Sequence, residues 1–432
     1  MKRVGNIWND TTSIKNGITA VIDGTRYKRG NHEVQRLLFD DKHHMIDPAK
    51  ARKYAEPICD DLKSGTWKHS EPKHRRQFCR NRASSKGKWR DLYIPTLRDH
   101  IVAHMLIQTS LAAFMRGMYP DCCGSVPGRG IKHIVKRVTH WLQDDKECRY
   151  FVKLDIRKFF DNIDRDILKA KLRQKIKDKY VLEAFDQIID SAPVACPVGY
   201  YTSPWFANLY LESLDWFIAQ QLYKERRGKR ISFVRHRIRY IDDILLIGTS
   251  KLDLKKAVHA ISDYLLENYG LHIKDSWEIK KIGKHELVDG EWKLKPGTYW
   301  CDIGGYKFSK DATILRDGIF LHTRRLVRKV YKQGYATDHQ NRSLISQIGW
   351  ASHCDSGNFF ENDVRPYVNV KEIRRAISHV DKKREQQTHK AADRGDIRES
   401  CDSAEEFQTG PGYRRDSGAL GVSGKTVNER TV

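Results

Sequence analysis

The sequence lacks the features that identify membrane proteins, zinc proteins and disulfide-stabilised proteins. No apolar run approaches the roughly 18 residues that a membrane-spanning helix needs. The nine cysteines are odd in number and form no C-x-x-C pair, and only Cys122 and Cys123 are neighbours. This spacing predicts neither a zinc site nor a disulfide framework and favours a reducing cytosol. Residues 1–6 contain no apolar segment, so we expect no signal peptide. No basic amphipathic helix with a clean apolar face is apparent, so we expect no membrane partner.

Positive charge is present in excess. The chain has 79 Lys and Arg against 55 Asp and Glu, which gives a net charge of +24 and a pI near 9.6. Such an excess attracts polyanions, and nucleic acid is the first candidate. A generally basic protein without a polyanionic partner is the alternative. The length of 432 residues predicts two or three packed units.

Apolar periodicity and turn residues predict mixed helices and strands. The predicted elements are a helix over Ala49–Leu62, a basic stranded stretch from Trp67 to Ile94, a helix over Leu97–Met115, a buried strand over Tyr150–Ile156, a helix capped by Asp164, a helix opened by Ser203-Pro204 and running to about Leu222, a hairpin over Ile231–Ile247, a helix over Leu252–Tyr269 closed by Gly270, and basic helices over 318–385. Residues 386–432 are poor in large apolar side chains, so we expect them to be disordered.

Two segments place acids inside apolar strands. An apolar strand ends at Asp155, and the hairpin turns at Asp242 and Asp243. Because burying an unpaired carboxylate is costly, each acid needs a partner. Nearby arginines are one possibility, namely Arg157, Arg237 and Arg239. A hard divalent cation is another, since two metal ions about 3.5–4 Å apart clamp the attacking and leaving oxygens of a phosphoryl transfer. An ordinary polar turn with a helix cap is the structural alternative.

Several segments in order resemble the motifs of the reverse transcriptase superfamily. Tyr240-Ile241-Asp242-Asp243 resembles its Y-x-D-D box, and Asp155 followed by Phe160 resembles its first palm motif. The other resemblances are Lys86–Arg90 to the fingers motif, Ser125–Gly130 to the segment before the palm, Pro197–Pro204 to P-Q-G-x-x-x-S-P, Ala207–Leu211 to the run after it in bacterial members, and Asp302–Tyr306 to the primer grip.

The resemblance implies an α+β right-hand polymerase fold with fingers, an antiparallel-sheet palm and a helical thumb. The implied division is an N-terminal region with fingers over 1–150, a palm over 151–310, a thumb over 311–385 and a disordered tail over 386–432. No second acid cluster, H-N-H segment or zinc pattern follows the thumb. The chain therefore resembles compact bacterial or phage enzymes.

The resemblance also implies site residues. Metal binding falls to Asp155, Asp242 and Asp243, with the Ile156 carbonyl as a further ligand. The cofactor is Mg²⁺, two ions per site, with Mn²⁺ possible. Nucleotide contacts fall to Lys86, Lys88, Arg90, Phe160, Val198, Gly199 and Tyr240. A ring at Phe160 beneath the sugar excludes ribonucleotides, and Gly199 permits close backbone approach to the nucleotide. Lys274 is the candidate proton donor to pyrophosphate, with a solvated strand lysine as the alternative.

Val198 departs from the family pattern, because many members have Gln there. A branched apolar residue at this place resembles the enzymes of diversity-generating retroelements, although Ser203-Pro204 differs from their usual S-Q. The expected function is therefore RNA-directed DNA synthesis by a retroelement or phage enzyme in a bacterial cytoplasm. The expected partners are an RNA template, a DNA or RNA primer and dNTPs, with a structured cognate RNA and a small basic protein as further candidates. An antiphage-defence or retron-type enzyme and a non-catalytic nucleic-acid-binding protein are the alternatives.

Overall fold

A computed structural model describes residues 3–26, 28, 30–39, 46–80, 87–288 and 291–393. The helices are α1 (Trp8–Thr11), α2 (Ile14–Thr25), α3 (His32–Leu38), α4 (Pro48–Ser64), α5 (Leu97–Met115), α6 (Ile131–Leu142), α7 (Arg165–Lys175), α8 (Lys179–Asp190), α9 (Ser203–Tyr210), α10 (Glu212–Gln220), α11 (Lys251–Tyr269), α12 (Asp317–Gln333), α13 (Asp338–Ala351), α14 (Gly357–Phe359) and α15 (Val370–Asp393). A 3₁₀ turn covers Phe159–Asn162, and a π-helical turn covers Phe360–Val364.

In the described ranges, the strands form one five-stranded sheet and four smaller units. They are β1 (Lys73–Arg80), β2 (Gly87–Ile94), β3 (Cys122–Cys123), β4 (Tyr150–Asp155), β5 (Tyr223–Arg226), β6 (Lys229–Ser232), β7 (His236–Tyr240), β8 (Asp243–Gly248), β9 (Ile279–Lys281), β10 (His285–Val288), β11 (Glu291–Leu294), β12 (Cys301–Ile303), β13 (Tyr306–Phe308) and β14 (Thr313–Leu315). The five-stranded sheet has the order β3-β7-β8-β4-β9, and all its pairings are antiparallel except that of β3 with β7.

This sheet is buried on both faces, which explains the unbroken apolar run in β8. Ile244 and Leu246 belong to a core that also contains the N-terminal helices α2, α4 and α5 and the helices α8 to α11. Leu245 and Ile247 belong to a second core with α6, β12, β13 and the helices after β14. Because side chains alternate along a strand, a single strand supplies both cores.

Local signals fix most helix ends. The Asp164 side chain accepts a hydrogen bond from the Ile167 amide and begins α7, as predicted. Gly270 ends α11 in the left-handed conformation, also as predicted. The predicted helix from Ser203 to about Leu222 is instead two helices, α9 and α10, which are separated by Leu211.

The α+β right-hand fold class is confirmed, with 52% of the residues in helices and 19% in strands. Two features of the structure bear on the expected division of the chain, which stays a prediction. β3 lies in the five-stranded sheet although it precedes residue 151. α15 continues to Asp393, so residues 386–393 of the expected tail are helical, and residues 394–432 lie outside the described part. Within the described part, no helix is both long and apolar enough to cross a membrane.

Candidate active site

The hairpin of β7 and β8 carries two acids in its turn. Tyr240 pairs with Asp243, so only Ile241 and Asp242 lie between the paired residues. Ile241 has φ +58°, a left-handed conformation that is unfavourable for a β-branched side chain. Strain of this kind persists only where the surroundings enforce it, and it is typical of functional sites.

Strand register brings the third acid beside the hairpin. β4 runs antiparallel to β8, and Asp155 is the cross-strand partner of Asp243. Directly opposite residues on antiparallel strands project to the same face, with Cβ atoms about 4.5–5.5 Å apart. Asp155, Asp242 and Asp243 therefore meet at one edge of the sheet, and we call these three residues the carboxylate edge.

Each of the two paired acids contacts a lysine. Lys274 Nζ lies 2.5 Å from Asp155 Oδ1, and Lys153 Nζ lies 3.2 Å from Asp243 Oδ2. The four side chains are between 29% and 48% exposed, so water and ions reach both pairs. Ion pairs this exposed are worth at most about 1 kcal/mol, so another cation exchanges with the ammonium groups at little cost.

Asp242, the other acid of the turn, is partly buried. Burial raises the pKa of its carboxyl group, and the charges of Asp243 and Asp155 raise it further, while its own backbone amide and Lys274 act in the opposite direction. A carboxylate in this environment is destabilised by desolvation and by like charge. Both effects are relieved when a multivalent cation binds between the acids.

The donor chemistry of the carboxylate edge fits a hard divalent ion, which prefers carboxylate and carbonyl oxygens. The side-chain orientations do not form a closed cage, since in the described part of the chain no three His, Cys, Asp or Glu residues are grouped as a metal site. Two of the three acids are instead in contact with ammonium groups, Asp155 with Lys274 and Asp243 with Lys153. Binding of a metal ion at this edge therefore requires Lys153 and Lys274 to move aside.

A cavity of about 1030 Å³ opens over the carboxylate edge. It brings together many of the side chains that the sequence predicted: Lys88, Arg90, Asp155, Ile156, Phe160, Val198, Tyr240, Asp242, Asp243 and Lys274. Lys88 and Arg90 are exposed on β2 and lie two residues apart, hence on one face of the β1–β2 hairpin. Lys86, expected beside them, lies outside the described residues.

Phe159 and Phe160 have different environments. Phe159 is 2% exposed in the first core, whereas Phe160 is half-buried, lines the cavity and meets Phe159 edge-on at 5.5 Å. One of the two was expected to be a core residue, and that residue is Phe159. Phe160 is the ring of the two that lines the cavity, and its expected contact with the sugar stays a prediction.

Gly199 makes a close backbone approach, but to the fingers hairpin. It has φ +119°, and a Cβ there would lie 2.4 Å from the Tyr93 carbonyl oxygen. The Tyr93 amide donates to the Val198 carbonyl at 2.9 Å, so this segment docks on the end of β2. The close approach that the structure describes is thus to protein backbone, and the expected approach of Gly199 to a nucleotide stays a prediction, while Val198 itself lines the cavity.

None of the three arginines considered as partners pairs with the carboxylate edge. Arg157 pairs with Asp275 at 2.7 Å, Arg239 pairs with Asp215 at 2.6 Å, and Arg237 lies 3.9 Å over the ring of Tyr119. Sequence reasoning missed Lys153 and gave Lys274 another role. The available signal for Lys153 was its spacing, because a residue two positions before Asp155 on a strand faces the same side.

The comparison with protein families matches residues 72–276 to the family described as "Reverse transcriptase (RNA-dependent DNA polymerase)". This range contains every described residue of the carboxylate edge and of the nucleotide-contact set. It ends before the helices that follow β14.

The curated proteins that are similar to this chain include the following three. The Putative COX1/OXI3 intron 2 protein of Saccharomyces cerevisiae is 23% identical over 44% of this chain and 29% of its own length. The group II intron-encoded protein LtrA of Lactococcus lactis subsp. cremoris is 26% identical over 42% of this chain and 30% of its own length. The retron Ec73 reverse transcriptase of Escherichia coli is 26% identical over 69% of this chain and 90% of its own length. The chain thus spans less than a third of the first two relatives.

Solved structures give a weaker likeness. The structure of apo telomerase from Candida tropicalis matches with a TM-score of 0.39 and 13% identity, over 56% of this chain and 48% of that one. We base no conclusion about the fold or function of this chain on a TM-score this low.

Proposed function

We propose that this chain, which belongs to the reverse transcriptase superfamily through its domain over residues 72–276, is an RNA-directed DNA polymerase. The observation that carries the proposal is the carboxylate edge, where register sets Asp155 opposite Asp243 and a strained turn adds Asp242. Three acids from two separate segments meet at the opening of a cavity large enough for a nucleotide.

Reverse transcriptases use divalent metal ions. In this chain Asp155, Asp242 and Asp243 would hold two Mg²⁺ ions, or Mn²⁺ in their place, with the Ile156 carbonyl as a further ligand. The ions would supply charge stabilisation to the attacking and leaving oxygens of nucleotidyl transfer. Lys274, released from Asp155, would stay near the reacting phosphates and is the candidate donor of a proton to pyrophosphate.

The opposite wall of the cavity suits an incoming dNTP. Lys88 and Arg90 project from β2, and Lys86 is assigned to the same task from sequence. Cationic side chains neutralise a triphosphate, and an Arg also stacks on a base. Phe160 and Tyr240 would bound the sugar, so that the Phe160 ring excludes a 2′-hydroxyl, and Val198 would face the nascent base pair.

The β1–β2 hairpin also suits a single-stranded template. Trp89 is 57% exposed and Phe78 is 45% exposed, and Arg76 lies 5.5 Å over the Trp89 ring. Exposed aromatic rings among cations are typical of surfaces on which unpaired bases stack. We therefore assign the RNA template to this face. The primer is assigned to the β12–β13 turn, which matches the primer-grip motif.

The proposal divides the chain into fingers before residue 151, a palm over 151–310 and a thumb from 311 onward. The helices α12, α13 and α15 form the thumb, and α15 extends it to Asp393. Basic residues on α12, such as Arg325 and Lys329, suit contact with a template–primer duplex.

Primer extension tests the proposal. The purified protein with Mg²⁺, dNTPs and a primed RNA template is expected to extend the primer, and Asp242→Asn with Asp243→Asn is expected to lower the rate by about 10³-fold or more. Template–primer binding should be largely retained, since the same charges repel phosphate. A wild-type protein that binds but never extends would support the non-catalytic alternative. A double variant that extends normally would contradict the assignment of the acids.

For the biological role we propose a diversity-generating retroelement or related phage element, because Val198 replaces the usual Gln. The specific observation in favour of a retron-type role is the similarity to the retron Ec73 reverse transcriptase over 90% of that protein. The error spectrum on RNA templates separates the two. Errors concentrated at template adenines, and reduced several-fold by Val198→Gln, support the retroelement role, whereas uniform errors contradict it.

A further inference from the structure

A buried guanidinium lies directly behind the turn that carries Asp242 and Asp243. Arg239 is 2% exposed and Asp215 is 3% exposed. Arg239 Nε donates to Asp215 Oδ1 at 2.9 Å, and Nη2 donates to Asp215 Oδ2 at 2.6 Å. Burial alone would lower the pKa of Arg239, but the Asp215 carboxylate outweighs burial and raises it, so the guanidinium stays charged at any ordinary pH.

The remaining donors of Arg239 fix the turn. Nη1 donates to the Ile241 carbonyl at 2.9 Å and to Asn208 Oδ1 at 3.1 Å, while Nη2 also meets Cys122 Sγ at 3.1 Å. We call Cys122, Asn208, Asp215 and Arg239 the rear network. The forked guanidinium of Arg239 donates to the Asp215 carboxylate on one side and directs one N–H at the turn on the other.

The carbonyl that Arg239 holds belongs to the strained residue. Ile241 has φ +58°, which costs about 1–2 kcal/mol for an ordinary L-residue. Its amide donates to the Cys123 carbonyl at 3.3 Å, so the residue is bound at both ends. The next residue is Asp242, so a change in the backbone of Ile241 would change the direction in which the turn presents Asp242 to the other two acids.

The rear network also links segments that the motif analysis had kept separate. Asn208 belongs to the run after Ser203-Pro204, and its Nδ2 donates to the Gly124 carbonyl at 2.9 Å. A Cβ on Gly124 would lie 3.1 Å from the Ile241 side chain, so this backbone packs closely behind the turn. Residues from four elements, namely α9, α10, β3 and β7, thus converge behind Ile241 and Asp242.

Stability alone does not require this arrangement. Replacing a buried ion pair by apolar residues is often neutral or stabilising, because the desolvation cost disappears with the charges. An apolar pair would, however, lose the hydrogen bond to the Ile241 carbonyl. We infer that Arg239 is a positioning residue, oriented by Asp215 and Asn208, that holds the Ile241 turn and so aims the carboxylate edge at a divalent metal ion. This inference rests on the proposed metal-dependent function of that edge.

The test removes the charges but keeps the packing. In Arg239→Met with Asp215→Leu, Mn²⁺ affinity is measured by calorimetry or electron paramagnetic resonance, alongside thermal melting and primer extension. We expect a folded protein whose Mn²⁺ Kd rises about tenfold or more and whose kcat falls about tenfold or more. This size of effect corresponds to the loss of one hydrogen bond from a charged group. The KM for template–primer should not change. A folded double variant with wild-type Mn²⁺ affinity and kcat would overturn the inference.

A matched control and a conservative variant complete the design. Lys224 and Asp253 form another partly buried ion pair, at 2.7 Å between β5 and α11, and Lys224→Met with Asp253→Leu should leave Mn²⁺ affinity unchanged. If the Arg239 double variant does not fold, Arg239→Lys decides, because lysine keeps the charge but lacks the fork. A fivefold or larger rise in Mn²⁺ Kd for Arg239→Lys supports the inference, and an unchanged Kd contradicts it.

The inference and the proposed function fail in different ways. A wild-type protein that never extends a primer, but whose Mn²⁺ binding depends on Arg239, contradicts the polymerase proposal alone. A wild-type protein that extends normally, with Mn²⁺ binding indifferent to Arg239, contradicts the positioning role alone.

Discussion

Aspartates on opposite sides of the same hairpin turn are paired with cationic side chains. At the carboxylate edge, Asp155 and Asp243 meet Lys274 and Lys153, and all four side chains remain 29–48% exposed. In the rear network, Asp215 meets Arg239, and both are less than 4% exposed. The same charge chemistry therefore occurs in two environments that differ chiefly in access to water.

This difference in exposure indicates which carboxylates are available to bind another cation. A half-exposed lysine pair is weak and exchangeable, so the acid remains available to another cation. A buried arginine pair with further hydrogen bonds is not exchangeable, because removal of one partner leaves an uncompensated charge. Burial, more than the presence of an acid in a motif, separates the charges that we propose to position the turn from those that we propose to bind metal ions.

The largest expected effect is on stability at the back of the turn. Asp215→Ala leaves the buried Arg239 guanidinium without its counter-charge and should lower the free energy of unfolding by about 3–5 kcal/mol. Lys153→Met removes an exposed partner of Asp243 and should change it by less than about 1 kcal/mol. Urea denaturation of the two variants measures both values. Equal effects would show that the distinction between the two sides is wrong.

A smaller effect is expected where backbone packing, and no charge, shapes the cavity wall. Gly199→Ala combines φ +119° with a clash at the Tyr93 carbonyl, and it should cost about 2–4 kcal/mol and weaken dNTP binding. Gly228→Ala is the matched control, because Gly228 has φ +70° with nothing within 4 Å of an added Cβ. Its cost should stay near 1–2 kcal/mol, the strain alone, as an order of magnitude. Equal unfolding free energies for the two variants would show that the contact with the Tyr93 carbonyl does not restrict residue 199.

The smallest expected effect has the opposite sign. Burial and the neighbouring acids raise the pKa of Asp242, so its ionised form opposes folding at neutral pH. Asp242→Asn should therefore raise the Tm of the metal-free protein by about 1–3 °C at pH 7. The native state binds this proton more tightly, so the gain should shrink as the pH falls toward the ordinary carboxyl value of 3.8. A lower Tm for Asp242→Asn in the absence of divalent ions would contradict the assignment of repulsion at the turn.

Local features of the sequence predicted much of this architecture. The helix over Leu97–Met115, the cap at Asp164, the Gly270 stop and the β7–β8 turn all follow from short-range signals. The convergence of Asp155 with Asp242 and Asp243 was predicted from motif order, and strand register now gives it a physical basis. The pairing of Lys274 with Asp155 and of Asp215 with Arg239 was not predictable, because these residues become neighbours only through tertiary packing. For Lys153 the two-residue spacing from Asp155 was the available signal.

The central claim is that Asp155, Asp242 and Asp243 jointly bind divalent metal ions. A crystal structure of the protein grown with Mn²⁺, with anomalous diffraction measured at the manganese edge, tests it most directly. The account predicts anomalous peaks within about 2.0–2.3 Å of oxygens from all three acids, with the Lys153 and Lys274 ammonium groups displaced. Crystals with both lysine pairs intact and no manganese at this edge would contradict it.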